Sequence, residues 1–118
     1  MIFDSIFNYL MTYLKSEYIS QKIVFMTPAH CWLWGNSDKY PSKDAIKKSD
    51  ALPLQGYVDI IKKLGEKHNI PVLDLFENLG LDPNDEIIRN EYTADGLHFN
   101  DKGQYFIAKC LGEFLEKL

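Results

Sequence analysis

Asp95 stands three residues ahead of His98 in the stretch YTADGLHFNDKGQYF, residues 92–106, just before a helix start. A histidine takes a proton from a hydroxyl only when one ring nitrogen is free and aimed. A carboxylate accepting the other ring N–H fixes the tautomer and stabilises the imidazolium that forms. Three-residue spacing inside a turn can bring such a carboxylate back onto the ring, so Asp95 and His98 are the candidate orienting acid and general base. Taken alone the pair is weak evidence, because Asp-x-x-His occurs more often as a cap or surface contact than as catalytic machinery.

Other side chains belong to the same inquiry. Trp32 and Trp34 flank Leu33 in a long punctuated segment, where flat apolar faces would line an acyl or sugar pocket or else pack that segment onto the body. His30 lies beside them and is a candidate for the same substrate-binding surface. His30 and Cys31 with His98 could be drawn as a metal site, but their spacing is not diagnostic and no metal or other cofactor is expected. His68 falls at a helix end, where a cation suits the dipole. Asp74 closes a strand and reads as structural.

The elements that must position these residues follow from periodicity. Phe3, Ile6, Phe7, Leu10, Met11 and Leu14 have the three-and-four spacing of an amphipathic helix, with Asp4 or Ser5 as its cap. KIVFMTP, residues 22–28, is a continuous apolar run closed by Thr-Pro, as in a parallel strand buried on both faces. Residues 28–50 keep no period. A second helix is signalled by Ser49 or Asp50 as cap, Pro53 in the first turn, and Leu54, Tyr57, Val58, Ile61 and Leu64 on one face, with Asn69 as stop. IPVLDLF reads as a second buried strand and ENLGLDP as a turn. Asp101 with Gln104 has the capping-box pattern, and Phe106, Ile107, Cys110, Leu111, Phe114 and Leu118 form the inner face of a last helix. The expected fold is α/β, with two parallel strands and three main helices. The 51–68 helix is expected on one face of the sheet and the two terminal helices on the other, with ligands beyond the carboxyl ends of the strands.

Bulk properties bound the rest. The chain has 118 residues, 46% apolar, and a formal net charge of −4, which suits one small folded unit and disfavours nucleic acid or an anionic membrane as partner. The apolar N-terminal stretch carries Asp4 and Lys15 and is too short and too charged to span a bilayer. Two widely separated cysteines without C-x-x-C spacing read as free thiols.

DGLHFNDKGQYFIAKCLGEFL resembles the final block of the SGNH, or GDSL-like, esterase and acylhydrolase family, where Asp-x-x-His precedes a small turn, a glycine and the last helix. KIVFMTP looks like that family's fourth strand, and YVDIIKKLGEKHNIPVLDLF like its next helix and fifth strand. The resemblance covers nearly the whole chain and implies the C-terminal half of a flavodoxin-like three-layer α/β/α fold. It also implies Asp95 and His98 as triad partners of a serine on an N-terminal Gly-Asp-Ser turn, with an oxyanion hole from that serine's N–H, a glycine and an asparagine. The substrate class it implies is an acyl or acetyl ester of a small molecule or carbohydrate.

The serine and oxyanion blocks have no counterpart here. FDSI, around Ser5, mimics Gly-Asp-Ser-Ile, but Ser5 lies within a helical period and has no strand before it. Roughly 17 residues separate it from the first strand, too few for two further crossovers of a dozen or more residues each. Residues 1–118 are therefore expected to be one partial domain whose missing strands belong ahead of residue 1, poorly active or inactive on its own. Two strands make a marginal sheet. The edge from Ile23 to Met26 is expected to pair with a second copy across a two-fold axis, or with the missing N-terminal fragment. A non-catalytic truncated interaction or oligomerisation module is the alternative reading.

Overall fold

A computed structural model of the chain describes residues 2–33, 36–37 and 53–118. Among these the order is α1 (Ile2–Glu17), β1 (Phe25–Met26), β2 (Trp32–Leu33), β3 (Asn36–Ser37), α2 (Leu54–His68), β4 (Val72–Leu73), α3 (Leu75–Asn78), α4 (Glu86–Tyr92) and α5 (Asp101–Glu116). No helix among the described residues is long and apolar enough to cross a membrane.

β1 and β4 pair in parallel, Phe25 opposite Val72 and Met26 opposite Leu73. The N–H groups of Phe25 and Thr27 extend the ladder to the carbonyls of Pro71 and Leu73, at 3.0 and 2.9 Å. β2 and β3 form a separate antiparallel pair that periodicity did not reveal. Side chains alternate across the parallel pair. Phe25 meets Phe7 of α1 with ring centroids 5.4 Å apart, and Val72 lies where a Cβ on Gly65 of α2 would collide with it. On the opposite face Leu73 joins Leu75 and Leu79 in a cluster that Phe106, Ile107, Cys110, Leu111 and Phe114 of α5 cover. The result is a three-layer arrangement, α1 and α2 on one side of the sheet and α5 on the other.

This corrects the expectation that both terminal helices share a face. The stripe of Phe3, Phe7 and Met11 decides the matter: Phe3 meets Tyr57 of α2 edge-on at 4.9 Å, and Met11 is wholly buried. Polar contacts tie the far ends of the same two helices. Lys15 Nζ donates to the His68 carbonyl at 3.0 Å, and Asn8 Oδ1 lies 2.8 Å from His68 Nε2 and accepts from Lys67 Nζ at 3.0 Å. The Asn69 stop is seen as a left-handed C-cap with φ 55°.

Caps and boundaries differ in detail. α1 begins at Ile2, ahead of both residues expected to cap it, and Asp4 instead accepts from the Ser5 N–H within the first turn. Pro53 is the N-cap of α2; Ser49 and Asp50 lie outside the described residues. Asn100, one residue before Asp101, caps α5 by accepting from Gly103 N–H at 3.1 Å. Leu118 is half exposed and takes no part in the α5 face. The strand expected over IPVLDLF is regular only at Val72 and Leu73. Asp74 caps α3, which takes Leu75 and Phe76 from that strand and Glu77 and Asn78 from the expected turn, while α4 occupies a stretch left unread.

The strand expected across residues 22–28 is regular only at Phe25 and Met26. N–H groups alternate sides along a strand, so Met26 presents its backbone away from β4, where no strand pairs among the described residues. Its side chain is 45% exposed while neighbouring Leu73 is buried. A strand is buried on both faces only where layers cover it, and α5 covers β4 but leaves β1 open.

Candidate active site

The turn carrying Asp95 and His98 is built by the elements on either side. Asp85 caps α4 by accepting from the N–H groups of Ile87 and Ile88. The helix ends at Thr93, which turns to extended backbone and bridges Phe99 in antiparallel fashion. Ala94 N–H donates to the His98 carbonyl at 2.8 Å and Asn100 N–H to Tyr92 at 2.9 Å, which closes a tight loop over residues 94–98. Gly96 sits in it at φ 89°, a conformation costly for any residue with a Cβ.

Within this loop Asp95 divides its two oxygens. Oδ1 accepts from the backbone N–H groups of Leu97 at 2.9 Å and His98 at 2.7 Å, while Oδ2 lies 2.6 Å from His98 Nδ1. An ionised carboxylate only accepts, so neutral His98 carries its proton on Nδ1 and leaves a lone pair on Nε2. Among the described residues nothing hydrogen-bonds Nε2, and the ring is 72% exposed. The pair predicted from spacing is thus brought together in the geometry a general base requires.

The His98 N–H, then the His98 ring and the Leu97 N–H, hold the Asp95 carboxyl at about 2, below its ordinary 3.8. A depressed carboxylate contributes stability above its unfolded value and loses it as pH falls through the folded one. A carbon-13 carboxyl titration of the folded chain should therefore find Asp95 ionised at pH 3, with its midpoint near 2; a midpoint near 3.8 would mean the three bonds are not formed.

A separate polar network joins the carboxyl ends of both strands. Asp74, directly after β4, caps α3 by accepting from Glu77 N–H at 3.0 Å and takes the Thr27 hydroxyl at 3.3 Å on the same oxygen. Its other oxygen pairs with Lys62 Nζ at 2.8 Å. Burial opposes ionisation of Asp74, but Lys62, the Glu77 N–H and Thr27 together outweigh it and lower the pKa. Thr27, directly after β1, accepts in turn from Phe76 N–H at 3.2 Å, so one buried network stitches the two strand ends.

The remaining sequence candidates fall around this frame. His30 packs against Phe76, ring centroids 3.5 Å apart and planes tilted by 32°. Trp32 lies under Arg89, whose guanidinium carbon is 3.9 Å from the ring centroid, and its N–H donates to the Gly96 carbonyl at 2.9 Å. Trp34 lies outside the described residues. Reasoning from sequence missed Thr93, Gly96 and Arg89; the Asp-Gly step at residues 95 and 96, a usual signal for a positive-φ turn, is the clue that could have found the second.

No serine among the described residues hydrogen-bonds His98, and Ser5 is an exposed residue of α1. Among the described residues no cluster of His, Cys, Asp or Glu could hold a metal ion, and neither Cys31 nor Cys110 forms a disulfide.

No protein-family model matches the chain, and no curated protein does. Solved structures share its fold. One crystal structure superposes with a TM-score of 0.85 at 22% identity, covering 98% of this chain and 52% of the other. A second, a Lactobacillus plantarum protein solved as a Northeast Structural Genomics consortium target, gives 0.81 at 23% identity, covering 98% and 53%. The chain spans about half the length of the solved structures it matches. Likeness at this identity establishes a small α/β fold built on two parallel strands.

Proposed function

We propose that the chain is the Asp–His half of an SGNH-type serine ester hydrolase acting on acyl or acetyl esters of small molecules or carbohydrates. The observation that carries the reading is His98, held through Nδ1 by Asp95 with Nε2 unengaged. In the whole enzyme a serine hydroxyl attacks the ester carbonyl while His98 Nε2 takes its proton. The tetrahedral intermediate collapses to the acyl-serine as His98 returns the proton to the departing alkoxide. Water, activated by the same nitrogen, then releases the acid. Asp95 keeps Nδ1 protonated and offsets the imidazolium charge throughout.

The DNA encoding the region ahead of residue 1 tests this reading: a frame encoding a strand that ends in Gly-Asp-Ser is expected, and co-expression of that segment with this chain should give aryl-acetate turnover. Unrelated sequence there, or turnover indifferent to His98→Ala, would refute it.

The second reading, a non-catalytic interaction module, is favoured by the open flank of β1. Ile2, Ile6, Tyr9 and Tyr13 make an exposed stripe along α1, and Ile19 is 87% exposed. Both readings require cover for this flank, from a second copy pairing along the edge from Ile23 to Met26 or from the missing N-terminal segment. Light scattering of the chain alone at micromolar concentration should report a dimer or larger; a strictly monomeric mass would count against self-association.

A further inference from the structure

Four residues form a closed circuit around the Asp95–His98 turn. The Arg89 guanidinium lies over the Trp32 ring and donates to the Pro83 carbonyl at 3.1 Å. Trp32 N–H donates to the Gly96 carbonyl at 2.9 Å. Gly96 N–H donates to Thr93 Oγ1 at 2.8 Å, and that hydroxyl donates onward to the Arg89 carbonyl at 2.6 Å. Both polar groups of the Gly96 backbone are thereby fixed from outside the turn. The two N–H groups that hold Asp95 Oδ1 belong to the next two residues, Leu97 and His98.

From this geometry we infer that Thr93 is the positioning residue of the Asp95–His98 couple, with Trp32 and Arg89 as its fixed frame rather than as pocket lining. Thr93 is buried, and among the bonds of the circuit its hydroxyl alone both donates and accepts. Asp95 and His98 are themselves exposed, so solvent competes for every bond they make and local packing cannot hold them. Orientation must come from the backbone beneath, and the backbone at Gly96 is set by Thr93 and Trp32. Replacing the hydroxyl by a methyl leaves the Gly96 N–H buried without an acceptor, a defect that a shift of the turn relieves. That shift would move the Leu97 and His98 amides off Asp95 and loosen Oδ2 from Nδ1. The functional weight of this role rests on reading Asp95–His98 as a base couple; the positioning itself does not.

Nitrogen-15 NMR of the histidine ring tests it on the chain as it stands, without any activity. Wild type should show His98 overwhelmingly as the Nδ1–H tautomer. Thr93→Val should raise the Nε2–H share several-fold while amide signals of α1, α2 and α5 stay in place, and Thr93→Ser should restore the wild-type ratio. An unchanged ratio in Thr93→Val would overturn the inference. Should that variant fail to fold, amide exchange in wild type decides: Gly96 should exchange at least 100-fold slower than an open amide, and an unprotected Gly96 would equally overturn it. A hydrolase reading that fails its own activity test leaves both measurements interpretable.

Discussion

If the proposed hydrolase is assembled with its N-terminal half, Asp95→Asn should lower kcat by about 10⁴-fold with little change in KM, the loss known when a triad aspartate becomes an amide. The substitution keeps one oxygen, which still accepts from the Leu97 and His98 N–H groups, so the turn survives. The atom facing Nδ1 becomes an amide nitrogen, a donor. Neutral His98 must then carry its lone pair on Nδ1 and its proton on Nε2, the reverse of what a base needs. His98→Ala should cost at least as much, and the double variant should add little, because the two act as one unit. Steady-state aryl-acetate kinetics on the three variants check this. A ten-fold loss or less in Asp95→Asn would mean that the carboxylate does not set the tautomer.

The second large effect is on stability. Gly96→Ala should destabilise the chain by roughly 3 kcal/mol, read as a lower urea midpoint at constant slope. Two costs combine: a Cβ at φ 89°, about 1–2 kcal/mol, and overpacking of about 1–3 kcal/mol where that Cβ would run into the Trp32 carbonyl. Gly80→Ala is the control. Gly80 has φ 78° but nothing within 4 Å of the added carbon, so it bears only the first cost, about 1–2 kcal/mol. Equal losses at the two sites would contradict close packing of Trp32 on the turn.

What could be read from sequence was what depends on local chemistry. The α2 face of Val58 and Ile61, the Asn69 stop, the parallel strand pair, and the Asp95–His98 contact all follow from spacing and turn propensity. The caps were displaced by one to several residues, since Asn100 competes with Asp101 for the same N-terminal amides and side-chain geometry chooses between them. The layer assignment of α1 depended on aromatic partners, Phe3 with Tyr57 and Phe7 with Phe25, that no periodicity encodes. Trp32 meets Gly96 from across more than 60 residues of chain, a juxtaposition only the tertiary fold brings about. α4 was unread because Glu86–Tyr92 is short and only Ile88, Arg89 and Tyr92 turn partly inward.

Hydrolysis of an aryl acetate by this chain alone, wild type beside His98→Ala, is the most direct trial of a base held ready without its nucleophile. The account predicts that neither protein exceeds the turnover of free imidazole at the same concentration. Robust turnover by wild type that disappears in His98→Ala would contradict it, and would place an attacking hydroxyl within these 118 residues.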